Sequence, residues 1–200
     1  MTAINEKTVA QLKKEEAVLV LVDFQERLMP AMKSTEELSQ TVVKLVKGVR
    51  VLQIPILVTQ QYTKGLGPTA EEIAKALTEE LFDGFTPAAD YAPIEKTSFS
   101  ALKEPAFVEA LKACGRRSVI LAGIEAHICV QQTALDLLAA GYEVFVVSDC
   151  IASRSNNDKK YSQRRMGDAG ACGTTYESVL YELLGGAKEP GFKQISAIVK

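Results

Sequence analysis

One cysteine stands where a thiol can do chemistry. Cys129 lies in Gly123-Ile-Glu-Ala-His-Ile-Cys-Val130, which reads as the turn from an apolar run into a helix. At a helix N-terminus the dipole and the free N–H groups lower a thiol pKa, and the same N–H groups can receive an oxyanion. The position therefore predicts either a nucleophile or a small apolar residue packing the helix start. Asp23, in Val22-Asp-Phe-Gln25, closes another apolar run. It is either a cap for the next turn or a base whose pKa is raised by partial burial. Lys96, in Glu95-Lys-Thr-Ser-Phe-Ser100, reads by itself as a surface lysine. The single histidine, His127, excludes every mechanism that needs two imidazoles, His-rich zinc sites included. Only two residues from Cys129, it aligns poorly as that thiol's base and reads as a pocket-lining or packing residue.

Those residues need a scaffold, and the apolar runs supply one. Residues 17–22 (AVLVLV), 55–58 (PILV), 118–122 (SVILA) and 142–147 (YEVFVV) are short and uninterrupted, the pattern of parallel strands covered on both faces. Residues 93–97 and 173–175 are weaker strand candidates. Between them, Leu38, Thr41, Val42, Leu45 and Val49 fall at helical spacing, as do residues 106–113 and 131–140, the latter stopped by Gly141. Alternating strands and helices predict an α/β class: a single-domain, doubly wound, Rossmann-like fold over 1–200, with a parallel sheet of about six strands. If the strand order begins 3-2-1-4, the first and fourth strands flank the ligand crevice, and Asp23 and Cys129 meet there. Residues 64–69 and 82–92 read as loops. Asp149 is expected to end the fifth strand and cap the helix near Asn157.

Composition narrows the partners. With 23 Lys plus Arg against 25 Asp plus Glu, the net charge of -2 gives no electrostatic footprint for nucleic acid. The cluster Lys159, Lys160, Arg164, Arg165 reads as a solvated helix face. No apolar run approaches the roughly 20 residues of a membrane span, and residues 1–16 resemble neither a signal nor a transit peptide. The expected partner is a small molecule, with no nucleic acid and no membrane. Cys114, Cys150 and Cys172 form no C-x-x-C pair and lack an acid–lysine context, so they read as core or boundary thiols of a cytoplasmic protein. Gly65-Leu-Gly-Pro-Thr-Ala70 matches a dinucleotide fingerprint, but Gln60 to Lys64 separate it from the strand, so no nucleotide cofactor is expected. The uncharged stretch 144–147 suggests a face for a homo-oligomer.

Read together, Asp23-Phe-Gln25, Lys96-Thr-Ser-Phe-Ser-Ala101, Gly123 to Val130, Asp149 and Thr174-Thr-Tyr-Glu-Ser178 resemble the isochorismatase-like cysteine hydrolase superfamily along nearly the whole chain. Gly-Ile-Glu-Ala-His-Ile-Cys-Val with the Gln-Gln-Thr-Ala-Leu-Asp-Leu-Leu138 after it is most similar to the isochorismatase-domain-containing proteins. The resemblance implies an Asp23, Lys96, Cys129 triad: Asp23 takes the thiol proton, Lys96 stabilises the thiolate and holds the carboxylate, and Cys129 attacks a carbonyl. It also implies a cis peptide at Ile124–Glu125. The backbone N–H groups of Glu125 and Cys129 would then serve as the oxyanion hole, with the side chain at 125 free to vary. Phe24, Gln25, Gln60, Phe99, His127 and Ile128 would line the substrate pocket. Nicotinamidases of this superfamily hold a metal through an Asp and histidines after the second strand. Thr59-Gln-Gln-Tyr-Thr-Lys-Gly-Leu-Gly67 has neither, so no metal is expected. True isochorismatases lack the nucleophilic cysteine, so Cys129 points to amide-like or ureido-like bonds. The resulting expectation is a metal-independent cysteine hydrolase working through a thioester. Its alternatives are a non-catalytic small-molecule-binding or scaffold protein that retains the fold, and a dinucleotide-dependent oxidoreductase.

Overall fold

Six strands pair into one parallel sheet in a computed structural model whose described residues are 11–82 and 91–200. Most of the loop expected at 82–92 and the first ten residues lie outside them. The strands are β1 (Ala17–Val22), β2 (Ile56–Gln61), β3 (Ile94–Lys96), β4 (Ser118–Ile124), β5 (Glu143–Ala152) and β6 (Cys172–Thr174). Their order is β3-β2-β1-β4-β5-β6, so the chain reverses direction across the sheet between β1 and β4. Eight α-helices occur among the described residues: α1 (Thr35–Val51), α2 (Thr63–Leu66), α3 (Glu71–Thr78), α4 (Pro105–Cys114), α5 (Gln131–Ala139), α6 (Asn156–Asp168), α7 (Tyr176–Leu184) and α8 (Phe192–Val199). α2 is one turn inside the stretch expected to be a loop. A π-helical turn, Ala126–Val130, joins β4 to α5.

Every residue of β1 and β4 is buried because successive side chains enter opposite layers. Leu19 and Leu21 pack with Val42 and Leu45 of α1, Leu180 of α7 and Ile195 of α8. Val18, Val20 and Val22 pack on the other face with Phe107 of α4, Leu137 of α5 and Met166 of α6. Each such aliphatic side chain contributes about 1.5–3 kcal/mol by leaving water. Gly123 lets β4 run close to β1: its φ is 156°, and a Cβ there would sit 2.6 Å from the Val22 carbonyl oxygen. Only glycine fits at the strand end that precedes the cysteine turn.

Two strands run past their apolar cores. β2 continues through Thr59, Gln60 and Gln61 because Val22 pairs with Thr59 and Gln61 pairs with Lys96. β5 continues to Ala152 with a bulge: between the pairs Leu121–Val146 and Gly123–Ile151, β4 advances two residues and β5 five. Three expectations change in this region. Val144 to Val147 are at most 3% exposed and fill both layers of the core, so they offer no face to a second copy. Asp149 lies inside β5, and its Oδ1 accepts from the Tyr176 N–H at the start of α7; the helix near Asn157 is capped by Ser155 instead. On that helix Lys160, Arg164 and Arg165 are exposed as expected, while Lys159 is half-buried.

Candidate active site

Asp23 follows β1 with φ 56°, a left-handed conformation that aspartate tolerates better than most residues. The turn directs its carboxylate under β2 and β3. Thr59 donates its hydroxyl to Asp23 Oδ1 at 2.7 Å, and Lys96 donates to Oδ2 at 2.6 Å. Both members of the Asp23–Lys96 ion pair have side chains at 0% exposure. The ammonium is further held by Gln61 Oε1 at 2.7 Å and by the carbonyls of Phe99 at 3.1 Å and Ser98 at 3.2 Å. A buried ion pair offsets its desolvation only when the remaining protons and lone pairs are bonded, and here they are. Lys96, which reads as a surface residue when taken alone, is thus among the most buried side chains of the chain.

Cys129 sits in the π-helical turn, 7% exposed. A helix N-terminus alone predicts a lowered thiol pKa; in the folded protein the opposite holds. Burial pushes the thiol up to about 12, the Asp23 charge adds to this, and Lys96 opposes it. Asp23 and Lys96 are the two charged groups that act on the sulfur, with opposite sign. The resting group is a thiol beside a carboxylate, and moving its proton to Asp23 leaves the net charge of the enclosed site unchanged.

The remaining candidates divide into a frame and a mouth. Phe24 is 1% exposed within the core, so it shapes the site from below and presents no surface to a ligand. Gln25 is equally internal: its amide donates to the carbonyls of Gln61 and Gly67 and accepts from the Gln61 N–H. Gln60 donates to Thr69 Oγ1 at 3.0 Å. These glutamines fasten the end of β2 to the 65–69 loop. Phe99, at 52% exposure, and the half-buried His127 and Ile128 stand at the surface. His127 Nδ1 lies 2.9 Å from Ser153 Oγ. The Ile124–Glu125 peptide is cis. The Glu125 side chain is not free: its carboxylate accepts from the N–H and the Nε of Arg154. The contacts of Thr59 and Gln61, and with them Ser98, Ser153 and Arg154, escaped the reading of the sequence, which has Gln61 only in a pocket-lining stretch from Gln60 to Gly67. The first two were detectable only through strand register, since alternate residues of β2 face the same side as Asp23 and Lys96. Among the described residues, no three His, Cys, Asp or Glu side chains group as a metal site.

The isochorismatase domain family matches residues 17–178. The chain is 39% identical over 183 residues to isochorismatase domain-containing protein 1 of Salmo salar, covering 92% of this chain and 60% of that protein. It is 36% identical over 193 residues to isochorismatase domain-containing protein 2 of Xenopus laevis, covering 96% and 88%. It thus spans less than two thirds of the first relative's length. A structure described as the MAR1 ribonuclease of Caenorhabditis elegans superposes with TM-score 0.84 at 36% identity, covering 95% of this chain and 92% of that one. YcaC from Pseudomonas aeruginosa, with hexane-2,5-diol and covalent acrylamide, superposes with TM-score 0.85 at 26% identity, covering 96% and 91%. The YcaC product of Escherichia coli, described as an octameric hydrolase of unknown specificity, gives TM-score 0.81 at 26% identity, covering 91% and 86%. The chain belongs to the isochorismatase family, and its fold is that of the family's hydrolases.

Proposed function

We propose that this protein is a cysteine hydrolase that cleaves a C–N bond, amide or ureido, in a small molecule without a metal or nucleotide. The carrying observation is the enclosed Asp23–Lys96 ion pair acting on the Cys129 thiol. The thiol proton passes to Asp23 as sulfur bonds to the carbonyl carbon, giving a tetrahedral oxyanion faced by the N–H groups of Glu125 and Cys129. Collapse breaks the C–N bond, and Asp23 returns the proton to the leaving nitrogen. Water then attacks the thioester, giving its proton to Asp23, and the sulfur recovers that proton as the acid departs. Lys96 holds the Asp23 carboxylate in place throughout, its donors engaged by four oxygens. The covalent acrylamide in the Pseudomonas relative supports a reactive side chain on this fold.

The ribonuclease name carried by the Caenorhabditis relative sets a second reading, RNA cleavage. The net charge of -2 and the absence of a second histidine favour acyl chemistry over it. Self-association is part of the proposal, on the octameric Escherichia relative. So is a reducing, cytoplasmic location, supported by four free thiols. No helix among the described residues is long and apolar enough to cross a membrane. A panel of small amides, ureido acids, esters and an RNA oligonucleotide tests the assignment. Turnover of an amide or ureido compound that disappears in Cys129→Ala is expected. Cleavage of RNA alone would move the protein to the second reading, and no turnover with retained ligand binding would make it a scaffold.

A further inference from the structure

The segment that leaves β5 grips the turn that carries the nucleophile at two points. Ser153 Oγ meets His127 Nδ1 at 2.9 Å. One residue on, Arg154 donates its backbone N–H to Glu125 Oε2 at 3.0 Å and its Nε to Glu125 Oε1 and Oε2 at 3.1 and 3.0 Å. The Glu125 side chain is 9% exposed, whereas that of Arg154 is 64% exposed. A carboxylate drawn out of water and given two donors from one residue, one of them shared between both its oxygens, has its position set by that residue. Glu125 in turn sets the turn itself: its carbonyl accepts from the N–H groups of Ile128 at 3.0 Å and Val130 at 3.3 Å, the residues on either side of Cys129. The Ser153 carbonyl also accepts from the Lys33 N–H, which ties the gripping segment to the loop before α1.

We infer that Arg154 and Glu125 are positioning residues: the Arg154–Glu125 clamp fixes the Glu125 backbone N–H at the place where an oxyanion develops. This rests on the cysteine-hydrolase reading but assigns a duty that the triad does not perform. Asp23, Lys96 and Thr59 hold the proton; the clamp holds the oxyanion donor. Its effect is therefore confined to steps that build a tetrahedral oxyanion. Alkylation of the same sulfur by iodoacetamide forms an S–C bond with loss of iodide and builds none.

The test compares these two reactions at Cys129. The chromogenic ester p-nitrophenyl acetate gives the acylation burst, and iodoacetamide gives the alkylation rate by peptide mass mapping. Both are measured in the full chain and in Arg154→Ala, Arg154→Lys and the isosteric Glu125→Gln. The expected result is an acylation rate constant lowered ~10- to 100-fold in Arg154→Ala and Glu125→Gln, with alkylation within about twofold of the parent and half-saturation by the ester unchanged. Both Arg154 variants keep the backbone donor of residue 154, and Arg154→Lys, which also restores a cationic side-chain donor, recovers part of the loss. Unchanged acylation overturns the inference. So does a raised half-saturation with unchanged acylation, which would make Arg154 a substrate-binding group. A parallel fall of acylation and alkylation, or loss of the folded circular dichroism spectrum in Glu125→Gln as well as Arg154→Ala, would reduce the clamp to general support and also overturns it. Failure of the underlying reading looks different: the parent chain itself would show no burst on Cys129.

Discussion

Two places among the described residues assemble a cysteine, an aspartate and a lysine, and in only one of them is the aspartate paired with the lysine. At the crevice between β1 and β4, Cys129 answers to Asp23 and Lys96. Within β5, Cys150 answers to its neighbour Asp149 and to Lys159 of α6, a lysine that its sequence surroundings had concealed. Burial raises both thiols above the ordinary 9.0, Cys150 with full enclosure at 0% exposure. What separates them is the use of each partner. Asp23 is in direct contact with Lys96 at 2.6 Å and faces the sulfur. Asp149 is engaged by the Tyr176 N–H and serves a helix start. Lys159 has its charge disfavoured by burial and lines a cavity of about 270 Å³ with Lys33, Asp149 and Asn156. The same three residue types thus differ in arrangement: at Cys129 the carboxylate is held by its cation, and at Cys150 it is not.

The sharpest way to break this contrast is alanine at each cysteine. Cys129→Ala should lower p-nitrophenyl acetate turnover by roughly 10⁴-fold or more, while Cys150→Ala, measured alongside, stays within about twofold. Equal losses would erase the distinction. The lysines come next, by chemical denaturation. Lys96→Met leaves a buried carboxylate uncompensated and should cost about 3–5 kcal/mol together with activity; Lys159→Met should change stability by less than about 1 kcal/mol. The threonines behind each site give a smaller effect. Thr59→Val removes the donor to Asp23 Oδ1 and should cost about 1–3 kcal/mol and slow turnover, with Thr59→Ser recovering it. Thr41→Val, which loses a bond to the Asp149 carbonyl, should leave turnover unchanged.

The last effect, absent at neutral pH, is in alkaline stability. Both thiols have folded-state pKa values above 9.0, so the folded chain keeps protons that the unfolded chain releases as pH rises past 9. Stability therefore falls from pH 9 upward, through about 12 for Cys129, and each alanine variant should flatten that fall in alkaline melts. For the same reason kcat/KM should show no rising limb near pH 9, since the thiol proton moves within the site and not to solvent. A limb there would mean that Cys129 ionises as an ordinary thiol.

The sheet was legible because β1 and β4 are buried on both faces, which an unbroken aliphatic run announces. The order 3-2-1-4, taken as a condition from the doubly wound class, is the one observed, and it brings Asp23 and Cys129 to one crevice. Hydropathy fails where strands continue on polar residues. Thr59 and Gln61 extend β2 because neighbouring strands hold their backbone, and nothing in their own character shows it. The same limit hid the far half of β5, so Asp149 looked like a strand end. Val144 to Val147 looked like a free face because a run without charges reads alike at a surface patch and in a two-sided core. Lys96 was invisible by type; only resemblance to a family singled it out. The direction of the Cys129 shift was misjudged because a helix-dipole argument omits desolvation, which depends on packing by elements far away in sequence.

One measurement bears most directly on the central claim, that an enclosed aspartate–lysine pair makes Cys129 a nucleophile. The parent chain is quenched in acid during the p-nitrophenyl acetate burst and its peptides are mapped by mass. The account predicts an acetyl group on Cys129 alone, absent in Asp23→Asn. Acetylation spread over Cys114 and Cys172, or found on Cys129 at the same rate in Asp23→Asn, would contradict it.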